Sequence, residues 1–323
     1  EGLSVINSDM VEKVKFSAGG FEAKYGDRMS SVLDITYARP TRLEAAVQAN
    51  LLGASAYLGY GNKHISFSNS FRYKTVRYLL GALDTNGEYK PNFLDYQAYL
   101  SWTPTSRWSF DVIGYISQNK YNFVPSTRET NFCTAEYGKT FKVYFDGQES
   151  DIFRTFFGTA KAAYKLNDNS NLSLSFSAFS TQERETYDIQ GQYWLNETMG
   201  GAELGVGTYA EHARNRLKSS SQTLKLAYNL TAGKHRLETG LSWRGEQITE
   251  DSREWEYRDS SGYSMPHTAS ALQVIYNLKS ANAISSNHME MFAQDNYRTE
   301  SRLGTLNINY GVRLSYWSWN REW

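Results

Sequence analysis

The side chains best suited to chemistry are few and poorly spaced for it. Five histidines, His64, His212, His235, His267 and His288, are scattered along 323 residues, with no pair four apart and no His-Glu-x-x-His run to hold zinc. Asp84-Thr85-Asn86-Gly87 begins like a calcium loop but lacks the ligands that should follow, and reads as a plain turn. The single Cys133 excludes an intrachain disulfide and a multi-cysteine metal centre, and reads as a loop thiol. Serines are abundant, yet none sits in a nucleophile elbow, and no glycine-rich phosphate loop precedes a helix. No catalytic residue, metal site or cofactor is expected, and the chain does not read as an enzyme.

Aromatic rings are the remaining candidates for ligand contact. They gather at Tyr121 and Phe123, at Phe132, Tyr137, Tyr144 and Phe145, at Tyr187, Tyr193 and Trp194, and at Trp255, Tyr257 and Tyr263. Such rings stack on sugars and peptides alike. Tyr121, Tyr137, Tyr187, Tyr193, Trp194, Trp255 and Tyr257 are therefore expected on an outer binding surface, the alternative being that they only pack loops together.

The rings pose a problem of placement. Aromatics make up 15% of the chain while the mean hydropathy is −0.58, a polarity at which a soluble protein would have to bury or expose too many Tyr and Trp. A membrane β-barrel resolves the conflict, because rings form girdles at the lipid boundary while a polar lumen keeps the average low. No run reaches the roughly 18 apolar residues that a spanning helix needs. Basic and acidic residues balance at 34 each, so no global field attracts nucleic acid.

From about Leu43 onward, apolar and polar residues alternate, the mark of strands with one oily and one wet face. Leu172, Leu174, Phe176 and Ala178 point one way, and Ser173, Ser175 and Ser177 the other. The same period runs through Leu43 to Ala49, Ile65 to Phe71, Tyr96 to Trp102, Trp108 to Ile116, Phe156 to Leu166, Leu224 to Leu230, Leu237 to Trp243 and Leu306 to Tyr316. About eleven strands are counted, the weakest at 54–60 and at 288–297, where Asp295 falls in register with Met289, Met291 and Ala293. A strand of about ten residues, rising roughly 3.3 Å each and tilted some 40°, spans about 25 Å, the height of an outer-membrane apolar band.

Connections are expected to alternate strictly between short and long. Short links fall at Gly61 to Lys63, Pro104 to Arg107, Asn167 to Ser170 and Thr231 to Lys234, and long, structureless ones at about 75–93, 121–151, 184–219 and 249–287. With Leu43 to Leu51 rising outward, every long loop is extracellular and every short turn periplasmic. An odd strand count and a sequence stopping inside a strand at Trp323 imply that further strands complete the barrel.

Residues 1–41 differ, with short charged segments and paired glycines. The run from Phe16 through Gly19-Gly20-Phe21-Glu22-Ala23-Lys24-Tyr25-Gly26-Asp27-Arg28 to Ser30-Ser31-Val32-Leu33-Asp34-Ile35 resembles the closing part of the plug of TonB-dependent receptors, in wording similar to those of Bacteroidota. Gly19, Gly20, Phe21, Tyr25, Gly26, Arg28, Ser30 and Ser31 carry the match. The resemblance implies the end of a plug at 1–41 and, at 42–323, the first half of a transmembrane antiparallel β-barrel of about twenty-two strands. It further implies lipid and the energy-transducing TonB complex as partners, and import of a scarce bulky solute such as a chelated metal, a cobalamin-like cofactor, a peptide or a glycan. A surface lipoprotein is a further candidate partner for the outer loops. Two other classes compete: a structural or secretion-associated barrel using the plug as a gate or docking piece, and a soluble lectin-like β protein.

Overall fold

The computed structural model describes residues 6–26, 30–75, 87–133, 138–197, 204–259, 273–302 and 304–321. A 3₁₀ turn, Ser8–Met10, opens the chain, its first N–H groups capped by the Asn7 side chain, which accepts from Asp9 N at 2.9 Å. The strands β1 (Val11–Ser17) and β2 (Val32–Tyr37) then pair antiparallel as a small sheet of their own. The described strands after residue 43 join one antiparallel sheet, whose main path runs through eleven strands, as the period of two predicts.

Those strands are β3 (Glu44–Asn50), β4 (Gly53–Gly61), β5 (Ile65–Thr75), β7 (Asn92–Trp102), β8 (Trp108–Pro125), β10 (Gly138–Asn167), β11 (Ser170–Glu197), β12 (Leu204–Ala232), β13 (His235–Asp259), β14 (Gln273–Ser301) and β15 (Gly304–Trp317). Each pairs with the next along this path, and the short strands β6 (Gly87–Tyr89) and β9 (Arg128–Cys133) add to β8 and β10. Among the described residues β3 and β15 do not pair with each other, so the sheet is open at both edges.

The sheet is built inside out. Leu174, Phe176, Leu226, Leu241, Met291 and Leu314 are each exposed, whereas Ser68, Ser70 and Gln97 are buried almost completely on the opposite face. Water would penalise such an oily exterior, and acyl chains do not. The leucines do not meet one another in a closed dry interior, which excludes the soluble lectin-like alternative. At the short-turn end the girdle is present: Trp108 lies 4.7 Å from Tyr164 and Trp102 stacks 5.3 Å from Phe110. An antiparallel wall with a wet face, an oily face and an aromatic belt is that of an outer-membrane β-barrel.

The two weakest strands are firm. Residues 54–60 lie within β4, and 288–297 within β14. Asp295 does face the oily side, but its side chain is only 4% exposed, because Tyr310 Oη donates to it at 2.6 Å and His235 Nδ1 lies at 2.6 Å. A carboxylate so covered is tolerable near the lipid boundary, where a bare one would not be.

Four expectations are corrected. Among the described residues the supposed long loops are mostly strand: β10 to β14 run 25 to 30 residues each, far beyond the apolar band. Outside lipid both faces are wet, so the oily-and-polar alternation vanishes while the backbone ladder continues. Cys133 accordingly ends β9, paired with Gly138, and does not lie in a loop. Nor do connections alternate strictly, since β3 and β4 are joined at the outer end by a tight turn at 51–52 in which Asn50 Oδ1 accepts from Leu52 N at 2.8 Å. Finally, β15 stops at Trp317 and a turn follows, closed by Arg321 N donating to Trp317 O at 2.9 Å. The Asp84 to Asn86 segment, Tyr137, Tyr263 and His267 lie outside the described residues.

Candidate functional site in the lumen

The wet face holds the N-terminal segment at both ends of the sheet. At one end, Arg72 of β5 binds Asp95 of β7 through Nε at 3.0 Å, and its NH1 donates to Ile6 O at 3.1 Å. Beside them Asn7 donates to Ser70 Oγ, and Ser66 Oγ donates to Pro40 O at 2.9 Å. Met10 is fully buried with Tyr57 and Tyr99 in an apolar cluster, while Arg39 reaches Tyr99 Oη at 3.1 Å and Asp111 at 2.9 Å. Burying charge is costly unless it is paired, and here Arg72 is paired with Asp95 on the neighbouring strand and Arg39 of the N-terminal segment with Asp111 of the wall.

At the other end the motif residues meet β13, β14 and β15. Lys24 Nζ lies 2.7 Å from Glu22 and 3.4 Å from Glu238. The Lys24 backbone N–H donates to Gln294 Oε1 at 3.0 Å, and Arg313, itself paired with Glu290, donates to Ala23 O at 2.9 Å. Burial pushes the Glu22 carboxyl up, but the neighbouring Lys24 and Lys15 ammoniums outweigh it and hold it at about 2. Gly19 and Gly20 take left-handed backbone, φ 90° and 62°, which side chains resist. At Gly26 the Arg313 guanidinium occupies the place a Cβ would take, so a side chain there would have to displace it. Tyr25 donates to Asp34 at 2.7 Å; Phe21 is half-buried, Ser30 and Ser31 are exposed, and Arg28 lies outside the described residues.

Two charged regions frame this segment along the bore. At the short-turn end a cavity of about 1220 Å³ is lined by Lys24, Lys63, Arg107, Lys161, Lys165 and Arg236, with Glu238 and Asp168 as its acids. Beyond the membrane band at the outer end, Glu149, Asp151 and Glu185 each bring a carboxylate oxygen within 4.8 Å of the others. Burial and then repulsion from Asp151 push the Glu149 carboxyl up to about 7, and burial also raises Asp151. The sequence reading missed this trio. Its only trace was Glu149-x-Asp151, two acids on one strand face, and the third member arrives through the β10–β11 register, Asp151 opposite Glu185.

That register divides the expected ring surface between two faces. Tyr121 and Tyr187 stand beside the acidic trio on the luminal side, where burial and the nearby carboxylates raise both phenols to about 12. Tyr193 stacks on Phe141 at 5.7 Å and on Tyr209 at 5.6 Å. Trp194, next along the strand, faces the other way, as do Trp255, stacked 5.1 Å from His212, and Tyr257, edge-on to the same imidazole. Tyr121, Tyr187 and Tyr193 can thus meet a solute in the bore, and the other three cannot join them.

No family model and no curated protein matches the chain. Among solved structures it is similar to the siderophore receptor PirA from Pseudomonas aeruginosa, at 10% identity and a TM-score of 0.25, over 96% of this chain and 80% of that one. It is also similar to the CymD monoaromatic hydrocarbon channel, at 6% identity and 0.22 over 84% and 85%, and to the P. putida toluene transporter TodX, at 10% and 0.22 over 86% and 85%. Scores this low carry no inference about activity, and the architecture rests on the register and exposure described above.

Proposed function

We propose that this chain belongs to an outer-membrane active transporter or receptor that imports a scarce bulky solute with energy from the TonB complex, residues 1–41 being the end of its plug. It acts by gated passage and not by catalysis. The carrying observation is that the N-terminal segment lies against the wet face and is bonded at both ends of the sheet, through Arg72 and through Arg313. A stopper held by hydrogen bonds and ion pairs, with little apolar seal beyond Met10, can be released and reseated without unfolding the wall. The long outer strands supply a surface for a lipoprotein lid. One feature favours a second reading, a static gate or docking piece: the Arg72–Asp95 pair that holds Ile6 is itself almost completely buried, 9% and 8% exposed.

The two readings separate in cells. Met10 is fully buried beneath Tyr57 and Tyr99, so a Met10→Cys variant in a Cys133→Ser background should resist a membrane-impermeant maleimide at rest. Labelling should rise in energised cells and fall on treatment with a protonophore or on deletion of the TonB complex. Equal labelling in all three would establish the static gate.

A further inference from the structure

The oily face carries a second feature at its upper margin. Along β10, β11 and β12 the outward positions just above the apolar band are basic: Arg154, two residues beyond the exposed Phe156, then Arg184, Arg216 and Lys218, all exposed. The register sets Arg184 directly opposite Arg216, and Gln182 opposite both Arg154 and Lys218. Like charges facing each other across neighbouring strands are unfavourable unless an anion lies between them. Arg154 donates to Gln118 at 3.0 Å, and among the described residues Arg184, Arg216 and Lys218 form no ion pair. Asp251, the acid directly opposite Arg216 in the register, is engaged by Arg253 at 3.4 Å.

A groove of about 390 Å³ is lined by these four cations together with Glu183, Glu250 and Asp251, of which Glu250 accepts from Asn282 and Ser252, and a second groove, of about 440 Å³, continues below it, with Arg154 and Gln182 lining both. The lower groove is floored by Phe71, Leu94, Tyr96, Ile116 and Phe156, all outward residues of the band. Arg184 and Arg216 stand on adjacent strands, which lie about 4.8 Å apart, so one tetrahedral phosphate with its several oxygens can accept from both, and guanidiniums bind phosphate in bidentate fashion. An apolar trough beneath a cationic rim accepts an amphiphile, whereas a free anion would use only the rim.

On this basis, and resting on the membrane reading above, we propose that the outward face of β8, β10, β11 and β12 is a binding site for a phosphorylated glycolipid of the outer leaflet. Its phosphates bridge Arg184, Arg216 and Lys218, Gln118 and Gln182 meet its sugar hydroxyls, and an acyl chain lies in the trough over Ile116 and Phe156. The lipid supplies the anion that the Arg184 and Arg216 pair requires.

The test uses the full-length protein in detergent, probed by native mass spectrometry with bisphosphorylated lipid A, the same lipid without phosphates, and inorganic phosphate. Lipid A should bind the parent, the dephosphorylated lipid should bind at least about tenfold more weakly, and inorganic phosphate should not displace lipid A. The triple variant Arg184→Gln, Arg216→Gln, Lys218→Gln should lose binding by at least about tenfold, and the luminal control Lys161→Gln should not. Equal affinity for the two lipids, or an unaltered triple variant, overturns the site; ready displacement by inorganic phosphate would make it a simple anion site. The lipid comparison on the parent remains decisive if the triple variant does not fold. Failure of the membrane reading looks different, because parent and variants would then all stay in solution without detergent.

Discussion

Lys24 is the residue whose loss should loosen the plug-like segment without harming the wall. Lys24→Ala removes an ammonium lying 2.7 Å from Glu22 and 3.4 Å from Glu238, in side chains that are 21%, 29% and 19% exposed. Such a pair falls between the surface case, worth under about 1 kcal/mol, and the buried one, worth about 3–5, so about 1–2 kcal/mol of docking is expected to go. That is about 5- to 30-fold in the docked-to-undocked ratio. The backbone N–H of residue 24 reports it directly, since it donates to Gln294 Oε1 at 3.0 Å and can do so with alanine in place. Hydrogen exchange at that amide should speed up by this factor while amides of β10 and β11 stay unchanged. Acid provides a second reading. Because the Glu22 carboxyl is depressed from 4.5 to about 2, its contribution is present above 4.5 and is lost as the pH falls through about 2. In the variant Lys15, at 2.9 Å, is the cation that still holds it, with Gln294 Nε2 donating at 3.4 Å, so the loss should begin at higher pH. Exchange at residue 24 that changes by less than about twofold would show that the segment is not held here.

Breaking the buried pair at the other end should be costlier. Asp95→Ala removes the carboxylate that accepts from Arg72 Nε and is expected to destabilise by about 3–5 kcal/mol, whereas Arg72→Met with Asp95→Leu should lose much less, as measured by the thermal midpoint of gel mobility. On the oily face, Leu174→Arg should impair membrane assembly by about 2–4 kcal/mol, while Ser175→Glu, on the wet face opposite Lys161 and Lys225, should assemble normally; comparing yields of heat-modifiable protein checks both. At the outer mouth, folded Glu149 keeps its proton up to about 7, so local stability should fall as the pH rises from about 4.5 to 7, read by hydrogen exchange corrected for intrinsic rate. Glu149→Gln should reduce that slope, leaving the part that the buried Asp151 contributes, and an unchanged slope would place the titrating group elsewhere.

Much of this was open to a reader of the sequence because a lipid-facing strand writes its environment into every second residue. Leu172, Leu174 and Phe176 against Ser173, Ser175 and Ser177 state both the strand and its two faces, and the count of eleven followed from repeating the pattern. Turn residues such as Asn167-Asp168-Asn169-Ser170 marked where that pattern reverses. The cue fails where the physics behind it fails. Above the membrane both faces of β10 to β14 meet water, so nothing in their composition distinguishes strand from loop, and only the partner strand's backbone decides.

What the tertiary structure alone decided is which distant residues become neighbours. Sequence spacing says nothing of Arg72 reaching Ile6, of Arg313 reaching Ala23, or of Asp151 standing opposite Glu185, because these depend on register across strands and on a segment folded back over the sheet. The same holds for Arg184 and Arg216, unremarkable as separate basic residues and meaningful only when pairing sets them face to face beside an apolar trough. Local alternation is encoded residue by residue, since each side chain answers to its own solvent. A site is a relation between strands, and it exists only once the ladder has chosen its register.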